Sequence, residues 1–369
     1  MKNFSSLRFL FMSLFFATAI IACSDDNNDD GPGGGDENTA TSGIWVLNQG
    51  SYGGNNASLS HYDIETEEVK EDVFFNVNGR KLGELAQDIK CYGSLMYITV
   101  SGSGSLEVVD KITGSSVKQI NFTDEDNQPR EPRRIACAGG NVYVTLYDGF
   151  VARIDTISLT IEDYVTVGRN PEGITAFGNR LFVANSGGMG YPDNFDNTVS
   201  VIDISVSQET GKPKFTETGK TTVADDPIEI FATEYGDIYV ISRADYTNPV
   251  LQRISTATTE ITTIHGFKAY SMSIAGKYAY IYNYDYDTME SSYTLYDIME
   301  KKVERESLIT DNTEISSPYY IGADPTTGDF FVSSGAYNSN GDLYIFDKNG
   351  QCKTNFDTGG VYPCGIAMY

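Results

Sequence analysis

Gly168–Gly188, GRNPEGITAFGNRLFVANSGG, sets out a pattern of apolar and polar positions that the rest of the chain repeats. Pro171 opens a first strand, at a place where a missing N–H is tolerated. Ile174, Ala176 and Phe177 carry its apolar load. Gly178-Asn179 is a two-residue link between apolar runs, a hairpin signal. Leu181–Ala184 is then continuously apolar, as a strand buried on both faces must be. After a Gly/Asn/Tyr-rich loop, a third strand follows at Thr198–Ile204.

The unit recurs. Arg133–Val144 (RRIACAGGNVYV) repeats the hairpin and Val151–Asp155 (VARID) the third strand. Pro227–Val240 and Ser317–Val332 are further copies, the latter followed by Asp342–Asp347. Ala86–Val100 and Ser271–Tyr282 match more loosely. The third strand ends in Asp63, Asp110, Asp155, Asp203, Asp297 and Asp347, with Ser255 in the remaining slot, at spacings of about 42 to 52 residues. A strand-only unit of that period is a propeller blade of four strands. The pattern therefore predicts an all-β, seven-bladed β-propeller. Ile44–Leu47 starts mid-blade, and Tyr362–Tyr369 (YPCGIAMY) matches the opening strands at Pro171 and Pro227. The last strand is thus expected to complete the first blade, and closure removes the exposed sheet edges.

Three regions follow. Residues 1–22 hold Lys2, Arg8 and an apolar run too short for a comfortable membrane span, which fits a secretory signal. Ile20-Ile21-Ala22-Cys23 resembles a bacterial lipoprotein cleavage box, with Cys23 the acylated residue. Residues 23–42, beyond Cys23 acidic and Gly-rich, form a disordered tether resembling a surface-export tag. The propeller is expected over residues 43–369.

The net charge is −25, and about −27 once Lys2 and Arg8 leave with the signal. Such a surface repels nucleic acid. Cys91 and Cys137 sit at equivalent inner-strand positions, as small apolar residues. Cys352 and Cys364, near the closure, are candidates for a disulfide in an oxidising compartment. His61 and His265 have no partner at ligand spacing and read as packing or surface residues. No Gly-x-Ser-x-Gly elbow, HExxH or Walker loop occurs. Asp88, Glu172, Glu229 and Asn185 approach the expected channel, where some propellers hold a catalytic metal; no metal is assigned here.

In a four-stranded blade, the links between blades and the links from second to third strand share one face. That face is expected to gather Tyr52, Tyr147, Asn185, Tyr191, Phe195, Tyr246, Tyr284, Tyr286, Tyr320 and Tyr337 with Arg133, Arg134, Arg169 and Arg243 as ligand-binding residues. Tyr319 and Arg130 lie in the same links. Tyr and Arg combine large contact area with a polar tip, and the Asn, Ser and Gly between them supply adaptable hydrogen bonds. The longest insert, Gly187–Asn197, carries Met189, Tyr191, Pro192 and Phe195 and is the candidate ligand-covering loop. No catalytic residue is assigned.

The repeats NVYVTLYDGFVARID and PEGITAFGNRLFVANSGG…VSVID resemble the YncE-like, surface-layer-type propellers. With the cleavage box, acidic tether and seven units, the chain after Ser42 resembles the BtuG-type surface lipoproteins that bind cobalamin. The resemblance implies a non-enzymatic protein, lipid-anchored at the outer membrane and exposed at the cell surface. It would capture cobalamin or another corrinoid, as cargo and not cofactor, for a TonB-dependent vitamin B12 transporter. The family supplies no short binding motif, so the site residues above rest on loop topology. A protein- or glycan-binding propeller on the same face, or a metal-dependent lactonase, are the alternatives.

Overall fold

The computed structural model describes residues 42–369 except 189–193, 210, 212, 244–246 and 337–338. The signal, Cys23 and the tether as far as Thr41, together with Met189, Tyr191, Pro192, Tyr246 and Tyr337, lie outside the described residues. Within them the chain forms seven four-stranded antiparallel sheets and one short helix, Val73–Asn78.

The sheets form a ring because each is apolar on both faces. Along the second strand of the fourth blade, Leu181 and Val183 join a core with Tyr143 and Ala136 of the third blade. Phe182 and Ala184 alternate with them and join Ile230, Ile238 and Val240 of the fifth. The same division gives one apolar cluster at each of the seven interfaces, from Trp45, Leu47 and Ile98 between blades one and two to Ile44, Phe331 and Leu343 between blades seven and one. A strand that serves two interfaces has no polar face, which is why its sequence reads as an unbroken apolar run.

The innermost strands are Ala86–Tyr92, Pro132–Ala138, Pro171–Phe177, Pro227–Ala232, Ala269–Ala275 and Pro318–Ala323 for blades two to seven. Pro363–Met368 serves blade one, pairing with Gly43–Asn48. Each packs on the next around the full circle. The third strands close on Asx turns, as the recurrent Asp suggested. Asp110 accepts the amides of Ile112 (3.1 Å) and Thr113 (2.8 Å), and Asp297 those of Met299 (3.0 Å) and Glu300 (2.9 Å).

A second device repeats at the other end of every blade. The amide that follows the second strand, or in blade six that of Tyr284 near the strand's end, donates to the carbonyl of the residue that precedes the innermost strand. The seven pairs run Gln49 to Tyr362 (2.9 Å), Ser101 to Leu85 (2.8 Å), Tyr147 to Glu131 (3.1 Å), Ser186 to Asn170 (3.2 Å), Arg243 to Asp226 (3.0 Å), Tyr284 to Lys268 (3.0 Å) and Gly335 to Ser317 (2.9 Å). These bonds place the two kinds of link on one face. Six of the seven acceptors are non-glycine residues in the left-handed region, with φ between 47° at Asn170 and 56° at Asp226, and five precede proline. Each such residue costs on the order of 1 kcal/mol and persists because the ladder on both sides over-determines it. One position further on, every innermost strand carries a bulge: Pro171 pairs with Asn185 but Ile174 with Val183, and the same extra residue follows Ala86, Pro132, Pro227, Ala269, Pro318 and Pro363.

Blade one is held shut by a buried polar lock. The Asn48 amide donates to Ser58 (3.1 Å), Ser60 (3.2 Å) and the Thr358 carbonyl (3.3 Å), and its oxygen accepts from the Thr358 hydroxyl (2.9 Å). Replacing Asn48 by Ala strands these groups away from water. Asn48→Ala is expected to lose about 2–3 kcal/mol of stability, read as a lower urea midpoint; an unchanged midpoint would show that closure does not rest on this lock.

Candidate functional site

The bulges build the site. In each innermost strand the extra residue re-aims the two positions after the first, giving one ring of side chains at the mouth and another on the channel wall. The first of these positions holds Gln87, Arg133, Glu172, Tyr270 and Tyr319 at the mouth, with Ile228 and Cys364 of the same ring reaching the cavity, and the wall positions include Asp88, Arg134, Glu229, Ser271 and Tyr320. The channel is a cavity of about 450 Å³ lined by all seven innermost strands.

At the mouth, cations and aromatics are stacked and paired across blade boundaries. Arg133 holds Glu172 of the next blade through two parallel bonds, Nε to Oε2 at 2.9 Å and Nη2 to Oε1 at 2.8 Å, and lies 5.1 Å over the Tyr147 ring. Arg243 lies 3.8 Å over the Tyr270 ring, donates to the Tyr270 carbonyl and stands 3.6 Å from Glu229. Tyr270 in turn meets Tyr284 at 6.4 Å, and Tyr284 meets Tyr286 edge-on at 4.6 Å. Tyr319 stacks on Tyr362 at 5.0 Å and donates to Gln49 at 2.6 Å. Each guanidinium is therefore set by a carboxylate or carbonyl beneath it and presents a fixed planar surface.

The wall carries charge, with Asp88 and Arg134 half-buried and Lys90 exposed. Asp88 accepts the amides of Ile89 (2.9 Å) and, across the blade boundary, Ile135 (2.9 Å). Arg134 donates to the Gln87 carbonyl. Burial pulls its charge down, yet Asp88, Glu229 and Glu172 together hold it above the ordinary value. Lys90, 3.9 Å from Asp88, is raised by that carboxylate. Burial pushes the Tyr320 phenol up, and it pushes the thiols of Cys91 to about 11 and of Cys137 and Cys364 to about 12.

The residues expected from the sequence separate. Arg133, Tyr147, Arg243, Tyr284 and Tyr286 come together at the mouth. Arg134 and Tyr320 turn down into the channel. Arg169 is tied to the fourth-blade insert by Asp196 (2.6 Å) and the Asn194 carbonyl (3.0 Å), beside half-buried Phe195. Tyr52 stands apart, 88% exposed. Asn185 is fully buried: it accepts from Gly168 (3.0 Å) and donates to Thr198 (3.0 Å) and Ser200 (2.9 Å). It locks its blade as Asn48 locks the first, and presents nothing to a ligand. Tyr270, Lys90 and Glu172 as a partner of Arg133 escaped the loop-based reading because they lie within strands. Aligning the seven copies by their first residue places Tyr270 in the slot of Arg133 and Glu172.

One other expectation resolves differently. Cys352 and Cys364 are both free thiols: one lies on the outer strand of blade seven, the other on the innermost strand of blade one. Cys91 and Cys137 pack against the apolar clusters at the first two interfaces, as expected, and are also partly open to the channel. Among the described residues, no three His, Cys, Asp or Glu side chains stand close enough to share a metal ion. His61 is a packing residue, 2.8 Å from the Tyr369 hydroxyl and 4.6 Å from the Trp45 ring.

Residues 42–366 match the family described as "Domain of unknown function (DUF5074)", and the chain belongs to that family. Among solved structures, Kuenenia stuttgartiensis Hydrazine Synthase is similar, with a TM-score of 0.59 and 17% identity over 76% of this chain and 88% of that chain. At that identity the likeness concerns the propeller fold. No curated protein matches the chain.

Asp226, buried at the mouth, gives a pH signature. Burial, then Glu172, push its carboxyl up to about 6 against the pull of Arg243. The folded state thus holds this proton more tightly than the unfolded one, so stability is withdrawn as pH rises from about 4 to about 6. Asp226→Asn keeps the shape and tolerates the left-handed backbone. It is expected to be more stable than the parent at pH 7 by about 1–2 kcal/mol, with the difference vanishing near pH 4. Urea titrations at the two pH values test this; an equal difference at both would refute it.

Proposed function

We propose that this DUF5074 chain is a non-catalytic surface lipoprotein that captures cobalamin or a related corrinoid and passes it to an outer-membrane TonB-dependent transporter. The observation that carries the reading is the mouth itself. Arg243 lies on the Tyr270 face, and Tyr270, Tyr284 and Tyr286 continue from it in edge-to-face contacts as one aromatic run, while the Arg133–Glu172 pair over Tyr147 forms a second patch. A corrinoid is broad and partly planar, fringed by amides and carrying a phosphate and a nucleotide base. Aromatic faces suit the ring and the base, and Arg suits the phosphate. Capture needs no protein ligand on the cobalt.

The cleavage box at Cys23 and the acidic segment after it support anchoring at the cell surface. Several acyl chains on one Cys make a stable anchor, and a tether of about twenty residues reaches a few tens of ångströms (~3.3 Å per residue). That length lets a propeller stand over a neighbouring transporter in the same membrane.

Calorimetric titration of the mature chain with cyanocobalamin, in the presence of chelator, tests the reading. One-to-one binding is expected, with Tyr270→Ala and Arg243→Met each weakening it about tenfold or more. Absence of binding at about 50 µM would refute the corrinoid assignment.

A further inference from the structure

The face opposite the mouth carries side chains that neither the fold nor the mouth uses. It is built from the turns that end the third strands and from the hairpins joining the first two strands. Among the described residues, six large apolar side chains stand exposed there, one to a blade in blades one to six: Ile64, Ile112, Ile157, Val206, Tyr235 and Met299, from 38% at Ile64 to 76% at Ile157. The mouth loops expose only Tyr52 and Met289 to that degree, and the remaining cases lie on the short helix or the outer strands. Singly such residues need no explanation; their placement, one per blade on one face, does. The turns do not require them. Ile112, Ile157 and Met299 fill one slot, two residues after the strand-ending Asp, whose carboxylate accepts the amide of each at 3.1, 3.2 and 3.0 Å. Ser205 and Asn349 fill the same slot in blades four and seven and make the same bond, at 2.8 Å in each. An Asx turn uses only the amide and ordinarily takes small polar residues.

The described chain also begins on this face. The Ser42 amide donates to the Tyr369 carbonyl (2.7 Å), and the Ile64 amide to the Ser42 carbonyl (3.3 Å). Residues 23–41 therefore lead into this face and not into the mouth. We propose that this face rests on the membrane surface, its six apolar side chains dipping into the headgroup region of the bilayer that holds Cys23; for that anchor the proposal rests on the lipoprotein reading above. The distribution selects a bilayer over a protein partner. Tips a blade apart offer no continuous apolar core of the kind a protein interface buries, whereas a flat lipid surface meets all of them at once. Exposed Lys301 and Lys348, in the turns of blades six and seven, are placed to meet lipid phosphates with their stems along the interface. The apolar tips supply the contact, since a chain of net charge −25 gains nothing from an anionic surface as a whole. Each tip contributes little, and the anchor makes the sum effective by holding the face at high local concentration. In this pose the mouth opens away from the membrane, towards arriving ligand.

The test uses residues 24–369, held by an N-terminal polyhistidine tag on phosphatidylcholine vesicles with nickel-chelating lipid, so that it does not depend on acylation in the cell. Trp45 is the single tryptophan and is buried, so a tryptophan added at the surface reads its own face. With brominated phosphatidylcholine in the vesicles, Ile157→Trp emission is expected to fall about twofold or more relative to the chain released by chelator, while Tyr52→Trp emission stays unchanged. Ile112→Ser with Met299→Ser, added to Ile157→Trp, is expected to remove most of that loss at an unchanged urea midpoint, because these sites are exposed. Equal quenching at both positions, quenching at Tyr52 alone, or no quenching would each overturn the proposal. Undiminished quenching in the serine variant would overturn it too, by showing tethering without contact. Dimerisation of the untethered chain at ~50 µM, with a blue shift of the Ile157→Trp emission, would instead assign the face to a second copy. Cyanocobalamin binding is read separately in solution, so failure here leaves the corrinoid reading standing, and the converse also holds.

Discussion

Everything in this molecule depends on sheets that are apolar on both faces. A sheet of that kind cannot end a stack, because its outer face would meet water. Seven of them satisfy one another only by closing a circle, and the seven separate cores show how evenly the load is shared. The Asn48 lock and the Trp45–His61–Tyr369 aromatic contacts stand at the closing blade, where N- and C-terminal segments meet and a chain connection is missing.

Closure also dictates where chemistry can stand. The innermost strands are crowded edge to edge around the axis, and a regular strand there would spend its side chains on the neighbouring blades. The bulge breaks that regularity at the same place in every blade, and in six of the seven a left-handed residue precedes it. The backbone scaffold is sevenfold, but the residues it presents are not. Arg133 and Glu172, or Tyr270 and Tyr319, occupy equivalent slots with different chemistry. Strain at six left-handed residues is the cost of this arrangement, and the repeated amide-to-carbonyl bond keeps it in place.

The fold was legible in the sequence because its cause is local and repeated: the apolar second strand, the Gly/Asn turn and the terminal Asp recur in recognisable form. The match of YPCGIAMY to the other opening strands was enough to foresee closure. The site was legible in part. Loop counting found Arg133, Tyr147, Arg243 and Tyr284 because their neighbours are turn residues. It misjudged Asn185, since an Asn at a strand end reads alike whether it faces a ligand or fills a buried polar lock. It overlooked Tyr270 and Lys90, since a bulge has no composition of its own and is visible only when the copies are set side by side. That Arg134 and Tyr320 point down the channel, one residue beyond Arg133 and Tyr319, is a consequence of the same bulge.

The position of the last strand also governs the order of events in the life of the chain. Among the described strands Gly43–Asn48 comes first, yet its inner neighbour Pro363–Met368 comes last, so the ring stays open until that strand is present. Blades two to seven are each built from contiguous strands, while blade one joins the two ends of the ring. Closure is therefore a single late event carried by one strand: until Pro363–Met368 is in place, the inner edge of Gly43–Asn48 stays unpaired and the ring cannot lock.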